Sequence, residues 1–125
     1  MCYDLKLNNV FFIGKTDRTN EVINDSDLIV HSSYTEGCPN AILEAMSMKK
    51  AVVATDILGS HQALGKKYAD YCFTKKKDYK NLAEKIIFLL ENNELRRDIG
   101  NYNFDRIKSD FSIEKLVDNY LNLIK

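Results

Sequence analysis

The chain has 125 residues, 45% of them apolar, and its 18 Lys and Arg balance 18 Asp and Glu. A chain of this length builds one modest core, and zero net charge excludes recruitment of nucleic acid or an anionic surface by bulk electrostatics. The longest apolar runs, such as residues 86–90, fall well short of the ~20 residues needed to cross a bilayer, and the first residues lack the charged-then-apolar order of a signal sequence.

In chain order, residues 9–14 (NVFFIG) read as a first strand, being rich in β-branched and aromatic side chains. A short helix is expected over residues 19–24, a strand over 27–32 (DLIVHS), a firm helix over 40–48 and a strand over 51–56 (AVVATD). Another short helix follows Gly59, and residues 69–74 (ADYCFT) read as a fourth strand. None of the strands alternates cleanly between apolar and polar, so burial on both faces is expected. The lysines at 75–77 read as a solvated loop.

From Asp78, a candidate N-cap, Leu82, Ile86, Leu89 and Leu90 keep helical spacing. Asn92 and Asn93 interrupt this helix before it resumes, and after a second cap at Ser112 come Leu116, Val117, Tyr120, Leu121 and Ile124, expected to form another packing helix. Strands alternating with helices, without hairpin signals, predict an α/β fold: a partial Rossmann-like three-layer domain with a parallel sheet of about four strands and C-terminal packing helices. The odd, widely spaced cysteines Cys2, Cys38 and Cys72 fit no zinc or redox pair and suggest reduced thiols in a cytoplasmic protein. No metal or cofactor is expected.

Ligands of parallel sheets gather where strands run into loops and helix N-termini. The stretch SSYTEGCPNAILEAM, residues 32–46, is such a place. Pro39 falls near the first helical turn, and the N–H groups of Asn40, Ala41 and Ile42 are expected to be unpaired at the positive end of the helix, forming an anion cradle. Gly37 lets a ligand approach the backbone, Cys38 lies within the same loop without a group to activate it, and Glu36 offers an acceptor for a hydroxyl. Glu44 follows Asn40 by one turn on the same face. Two acceptors flanking a phosphate-binding helix end suit a nucleotide-sugar. Taken singly, the acids also fit a loop residue and an exposed helix residue.

The run EGCPNAILEAM followed by AVVATD resembles the E-x7-E signature of retaining glycosyltransferases of the GT-B fold, family 4. NNVFFIGKT, INDSDLIVHSSYTEG, DYKNLAEKIIFLLEN and FSIEKLVDNYLNLI resemble successive pieces of that family's C-terminal, donor-binding domain, so the resemblance covers nearly the entire chain. It implies that residues 1–125 are part of that domain. Glu36 would contact hydroxyls of the transferred sugar and be the catalytic-site glutamate, Asn40 and Ala41 would meet the diphosphate, and Glu44 would hold the ribose. The implied partner is a UDP-, GDP- or ADP-sugar. The two acids do not form a glycosidase pair, because no glycosidic bond lies between them.

Several features depart from the family. Lys49 and Ala51 stand in the places of a glycine and a proline, and LGSHQ stands where Gly-Gly-x-x-Glu is usual, so Leu58 replaces a glycine and Gln62 an acid. His61 and His31 read as a loop residue and a structural strand-end residue. The chain opens past the family's leaving-group Arg and Lys pair and has no acceptor domain, so little transfer is expected without a missing N-terminal domain or a chain supplying it. In a 3-2-1-4-5-6 sheet two absent strands would separate residues 9–14 from the other strands, leaving unpaired edges. Peripheral membrane contact of the full-length protein remains open. So do two alternatives: a non-catalytic remnant that binds another protein, and an unrelated Rossmann-like module for a simple phosphate ligand.

Overall fold

The computed structural model describes residues 4–124; Cys2 and the Leu116 side chain lie outside what is described. Helix α1 (Thr19–Asp25) precedes strand β1 (Ile29–His31), helix α2 (Asn40–Ser47) and strand β2 (Val52–Thr55). Helices α3 (Leu58–Leu64) and α4 (Ala69–Cys72) lead into strand β3 (Phe73–Thr74), and α5 (Tyr79–Glu91), α6 (Asn93–Asp110) and α7 (Ile113–Leu123) complete the chain. The strands form a parallel sheet in the order β1-β2-β3, with Ile29 opposite Val52 and Thr55 opposite Thr74. Parallel neighbours need crossovers, which α2 and the α3–α4 pair supply. Every residue of β2 is buried, as expected of a central parallel strand.

Ile42, Met46, Val52, Val53, Leu89 and Ile99 are fully enclosed in one core. Each such side chain contributes roughly 1.5–3 kcal/mol relative to exposure. Helix α6 packs on α2 and α5. Its approach is close enough that a Cβ on Gly100 would overlap the Lys49 carbonyl, and Asn103 Nδ2 donates to Lys50 O at 2.9 Å. The end of α2 closes in a Schellman pattern: Lys50 N–H bonds Ala45 O and Lys49 N–H bonds Met46 O, each at 3.0 Å. Lys49 takes the left-handed position there, at φ 57°.

Three expectations are corrected. Residues 9–14 form no strand, and Phe11 and Phe12 are 81% and 79% exposed. Their side chains favour β structure, but a strand exists only where another backbone accepts and donates its hydrogen bonds, and no described segment does so. The sheet therefore has three strands. Within residues 69–74 the first four make a helical turn, with Cys72 N–H donating to Tyr68 O at 3.0 Å, and only Phe73 and Thr74 pair with β2. Finally, α7 is helical as its period predicts, yet the apolar side chains described on it are exposed: Ile113 is 77% and Leu123 84% exposed. Among the described residues no helix is long and apolar enough to cross a membrane.

Candidate functional site

Strand β1 delivers the chain at His31 to a loop that returns at Pro39 to start α2. Pro39 is buried and occupies the cap position, one residue earlier than expected. Its carbonyl accepts the N–H of Ile42 at 2.9 Å and of Leu43 at 3.2 Å. This tight first turn removes Ile42 from the expected cradle, and its side chain is fully buried. The N–H groups of Asn40 and Ala41, both exposed residues, have no preceding helical carbonyl to bond. They are the donors available at the positive end of α2.

Glu36 is held in the same loop. Ser33 Oγ lies 3.1 Å from Glu36 Oε1 and also 3.1 Å from Thr35 O, tying the loop to itself. His31 Nε2 lies 3.8 Å from Glu36 Oε1, too far for a hydrogen bond but within ion-pair range when protonated. The first turn of α3 presses on this loop from the other side: a Cβ on Gly59 would stand 2.5 Å from Glu36 O and 3.2 Å from Gly37 O. Gly37 itself has open space around its Cβ position, and Cys38 is an exposed free thiol. Glu44 sits on α2, exposed, one turn beyond Asn40. Glu36, Gly37, Cys38, Asn40 and Ala41 thus share the loop and first turn at the start of α2, with Glu44 further along the helix.

Sequence reasoning passed over Ser33 and Gly59. The only signal for Gly59 was its place beside Leu58 in the departed glycine pair, because a backbone contact between distant segments leaves no local pattern. His61 is corrected more fully. It lies on α3, its Nε2 is 2.6 Å from Asp56 Oδ1, and its ring stacks at a tilt on Phe73 with centroids 4.0 Å apart. Its partner lies five residues upstream in a turn, where no helical spacing announces it.

Two cavities open nearby, of about 420 and 380 Å³. The first is lined by Asp56, His61, Asp70, Phe73 and Lys85, among others, and the second by residues at the carboxyl ends of all three strands. Residues 36–44 line neither, so the tip of α2 presents its donors on open surface beside them. Cys72 lies behind this region and is chemically quiet: burial pushes its thiol up to about 12, with Lys85 opposing only in part. Among the described residues no group of three or more His, Cys, Asp or Glu is placed to hold a metal.

The family model described as "Glycosyl transferases group 1" matches residues 1–106. The Campylobacter jejuni protein N,N'-diacetylbacillosaminyl-diphospho-undecaprenol alpha-1,3-N-acetylgalactosaminyltransferase is 35% identical over 115 residues, which are 91% of this chain and 30% of that protein. A poly(ribitol-phosphate) alpha-N-acetylglucosaminyltransferase of Staphylococcus aureus is 29% identical over 115 residues, 92% of this chain and 23% of the relative. Among solved structures, a mutant of S. aureus TarM in complex with Fondaparinux, alpha-GlcNAc-glycerol and UDP superposes with a TM-score of 0.87 at 28% identity, over 98% of this chain and 25% of TarM. The C-terminal domain of the Francisella tularensis protein LpcC superposes at 0.74 and 23% identity over 90% of this chain and 59% of that one, a likeness of fold. The chain spans about a quarter to a third of the length of these two curated relatives.

Proposed function

The chain belongs to the glycosyl transferases group 1 family, and on that premise we propose that it is the donor-binding part of a retaining GT-B enzyme that moves a sugar from a nucleotide-sugar to an acceptor hydroxyl. The observation that carries this reading is the corner at the tip of α2. Asn40 and Ala41 offer backbone donors to a diphosphate, while Glu36, fixed by Ser33 and by the contact of Gly59 with its carbonyl, waits beside them for hydroxyls of the sugar. As the bond from the sugar to the diphosphate breaks, negative charge builds on the departing phosphate, and these preorganised donors face it. Glu44, a turn along α2, would bind the ribose. Cys38 lines the approach.

Helix-end donors supply only part of the charge stabilisation such a step requires. In this reading an acceptor domain, within the same protein or in a separate chain, supplies the cations and covers the exposed apolar faces of α7 and of residues 9–14. The 125 residues by themselves would transfer little sugar. The enzyme would work in the cytoplasm on a UDP-, GDP- or ADP-sugar and meet a membrane only peripherally. UDP is the first donor nucleotide to test, since UDP is the nucleotide in the TarM complex.

An amide NMR titration of the chain with UDP and then UDP-N-acetylglucosamine tests the reading. Saturable shifts at residues 36–41 are expected, weakened for both ligands by Glu44→Ala, with Glu36→Ala abolishing only the extra contribution of the sugar. Silence at ~10 mM of every nucleotide and nucleotide-sugar, well beyond the millimolar affinities of weak sites, would reject donor binding. A second reading, a non-catalytic partner that keeps the fold, is favoured by Leu58, which stands 74% exposed where the family has glycine. In that case UDP leaves the corner unmoved.

A further inference from the structure

Ser33 stands between two acceptors. Its Oγ lies 3.1 Å from Glu36 Oε1 and 3.1 Å from Thr35 O, yet a hydroxyl carries one proton and donates to only one of them at a time. While Thr35 O takes that proton, the Ser33 lone pairs face a carboxylate oxygen, and Oε1 needs a donor from elsewhere. Among the described residues the other polar side chain close to it is His31, whose Nε2 stands 3.8 Å from the same Oε1.

The two nitrogens of the His31 ring lie in different surroundings. The side chain is 16% exposed at the end of β1, and Nδ1 is buried without a hydrogen-bond partner. A neutral imidazole has one N–H to place. On Nδ1 it would be a buried donor with nothing to accept it, while the Nε2 lone pair faced a carboxylate. On Nε2 it aims a donor at Oε1 and leaves only a bare acceptor inside, the less costly arrangement. The separation is about 1 Å longer than a good hydrogen bond, a gap of the kind that tightens when a ligand is bound. Glu36, on an exposed loop with its side chain 37% exposed, is free to make that movement.

We propose that His31, as its Nε2–H tautomer, is a positioning residue that holds Glu36 by Oε1 and so turns Oε2 toward the hydroxyls of the transferred sugar. The sugar-facing half of this role rests on the donor reading above, whereas the contact of His31 with Glu36 needs no ligand. Ser33 and His31 both address Oε1, and among the described residues Oε2 makes no hydrogen bond. A carboxylate already pinned by one oxygen loses less rotamer freedom when a hydroxyl arrives at the other.

Ring 15N NMR of the whole chain at pH 8, above the ordinary histidine value of about 6.5, tests the contact before any ligand is added, together with side-chain 13C relaxation of Glu36. The Nε2–H tautomer is expected, and His31→Leu should loosen the Glu36 side chain. His31→Gln should restore its order, because the amide nitrogen of glutamine can donate from the place of Nε2. The same variants are then titrated with UDP and UDP-N-acetylglucosamine. His31→Leu should weaken binding of the sugar conjugate about tenfold or more, as for a lost hydrogen bond to a charged group, and leave UDP unchanged, with His31→Gln close to the parent. Unchanged amide shifts in β2 and α6 report that the variants are folded. The proposal is overturned by an Nδ1–H tautomer, by a Glu36 side chain as ordered in His31→Leu as in the parent, by His31→Gln behaving like His31→Leu, or by equal losses for UDP and its sugar conjugate. If neither nucleotide binds the parent, the donor reading fails, and the tautomer and the order of Glu36 still decide the role of His31.

Discussion

Two glycines in the same corner behave differently, and the difference separates packing from binding. Gly59→Ala puts a methyl 2.5 Å from Glu36 O. The backbone cannot yield cheaply, so a stability loss of about 1–3 kcal/mol is expected in urea denaturation, together with displaced amide signals at residues 36 and 37. Gly37→Ala meets no atom within 4 Å and should leave stability within about 0.5 kcal/mol. A second residue-scale prediction concerns Cys72. Its folded thiol titrates at about 12 against an ordinary value of 9.0. Below pH 9 both folded and unfolded chains hold the proton and the thiol leaves stability unchanged with pH. As pH rises from about 9 to about 12 the unfolded chain loses its proton first, so stability falls across that window. Denaturation midpoints from pH 8 to 11 should drop more steeply for the parent than for Cys72→Ala. Equal slopes would place the titration elsewhere.

Helix ends are where individual elements are secured. Arg96 Nη1 donates to Leu89 O and Leu90 O, each at 2.8 Å, closing α5, and Arg106 donates to Gln62 O and Ala63 O, each at 3.0 Å, closing α3 from α6. The end of α2 is closed less comfortably, because Lys49 occupies a left-handed position that favours glycine. Lys49→Gly should raise stability by up to about 1 kcal/mol in thermal or urea unfolding, with part of the gain offset by the greater freedom of glycine in the unfolded chain. A loss of stability would mean that the contact of Lys49 with the Phe104 ring, 4.9 Å from its centroid, outweighs the backbone strain.

At the scale of the molecule, α2, β2, α5 and α6 supply the fully enclosed side chains of the core, while the apolar side chains described on α7 are exposed. Removing residues 112–125 should therefore leave the midpoint of thermal unfolding nearly unchanged and reduce binding of a hydrophobic dye such as ANS. A fall in midpoint of more than about 4 °C, the shift expected for 1 kcal/mol in a domain this size, would show that α7 contributes to the core. The acceptor domain proposed above would cover this surface.

The alternation of strand and helix, the caps at Asp78 and Ser112 and the place of the loop before Asn40 were legible in the sequence, because each depends on residues within a few positions of one another. The spacing of Glu36 and Glu44 was legible for the same reason, and the resemblance to the family rests on it. Tertiary structure alone decided whether a strand-like run finds a partner, which residues 9–14 did not. It decided that Pro39 takes the donor of Ile42, that Gly59 must be bare because Glu36 passes over it, that His61 has Asp56 beside it, and that residues after three strands line one open cavity. Pairing, close approach and enclosure join segments far apart in the chain, so the information lies in how the elements pack rather than in any stretch of residues.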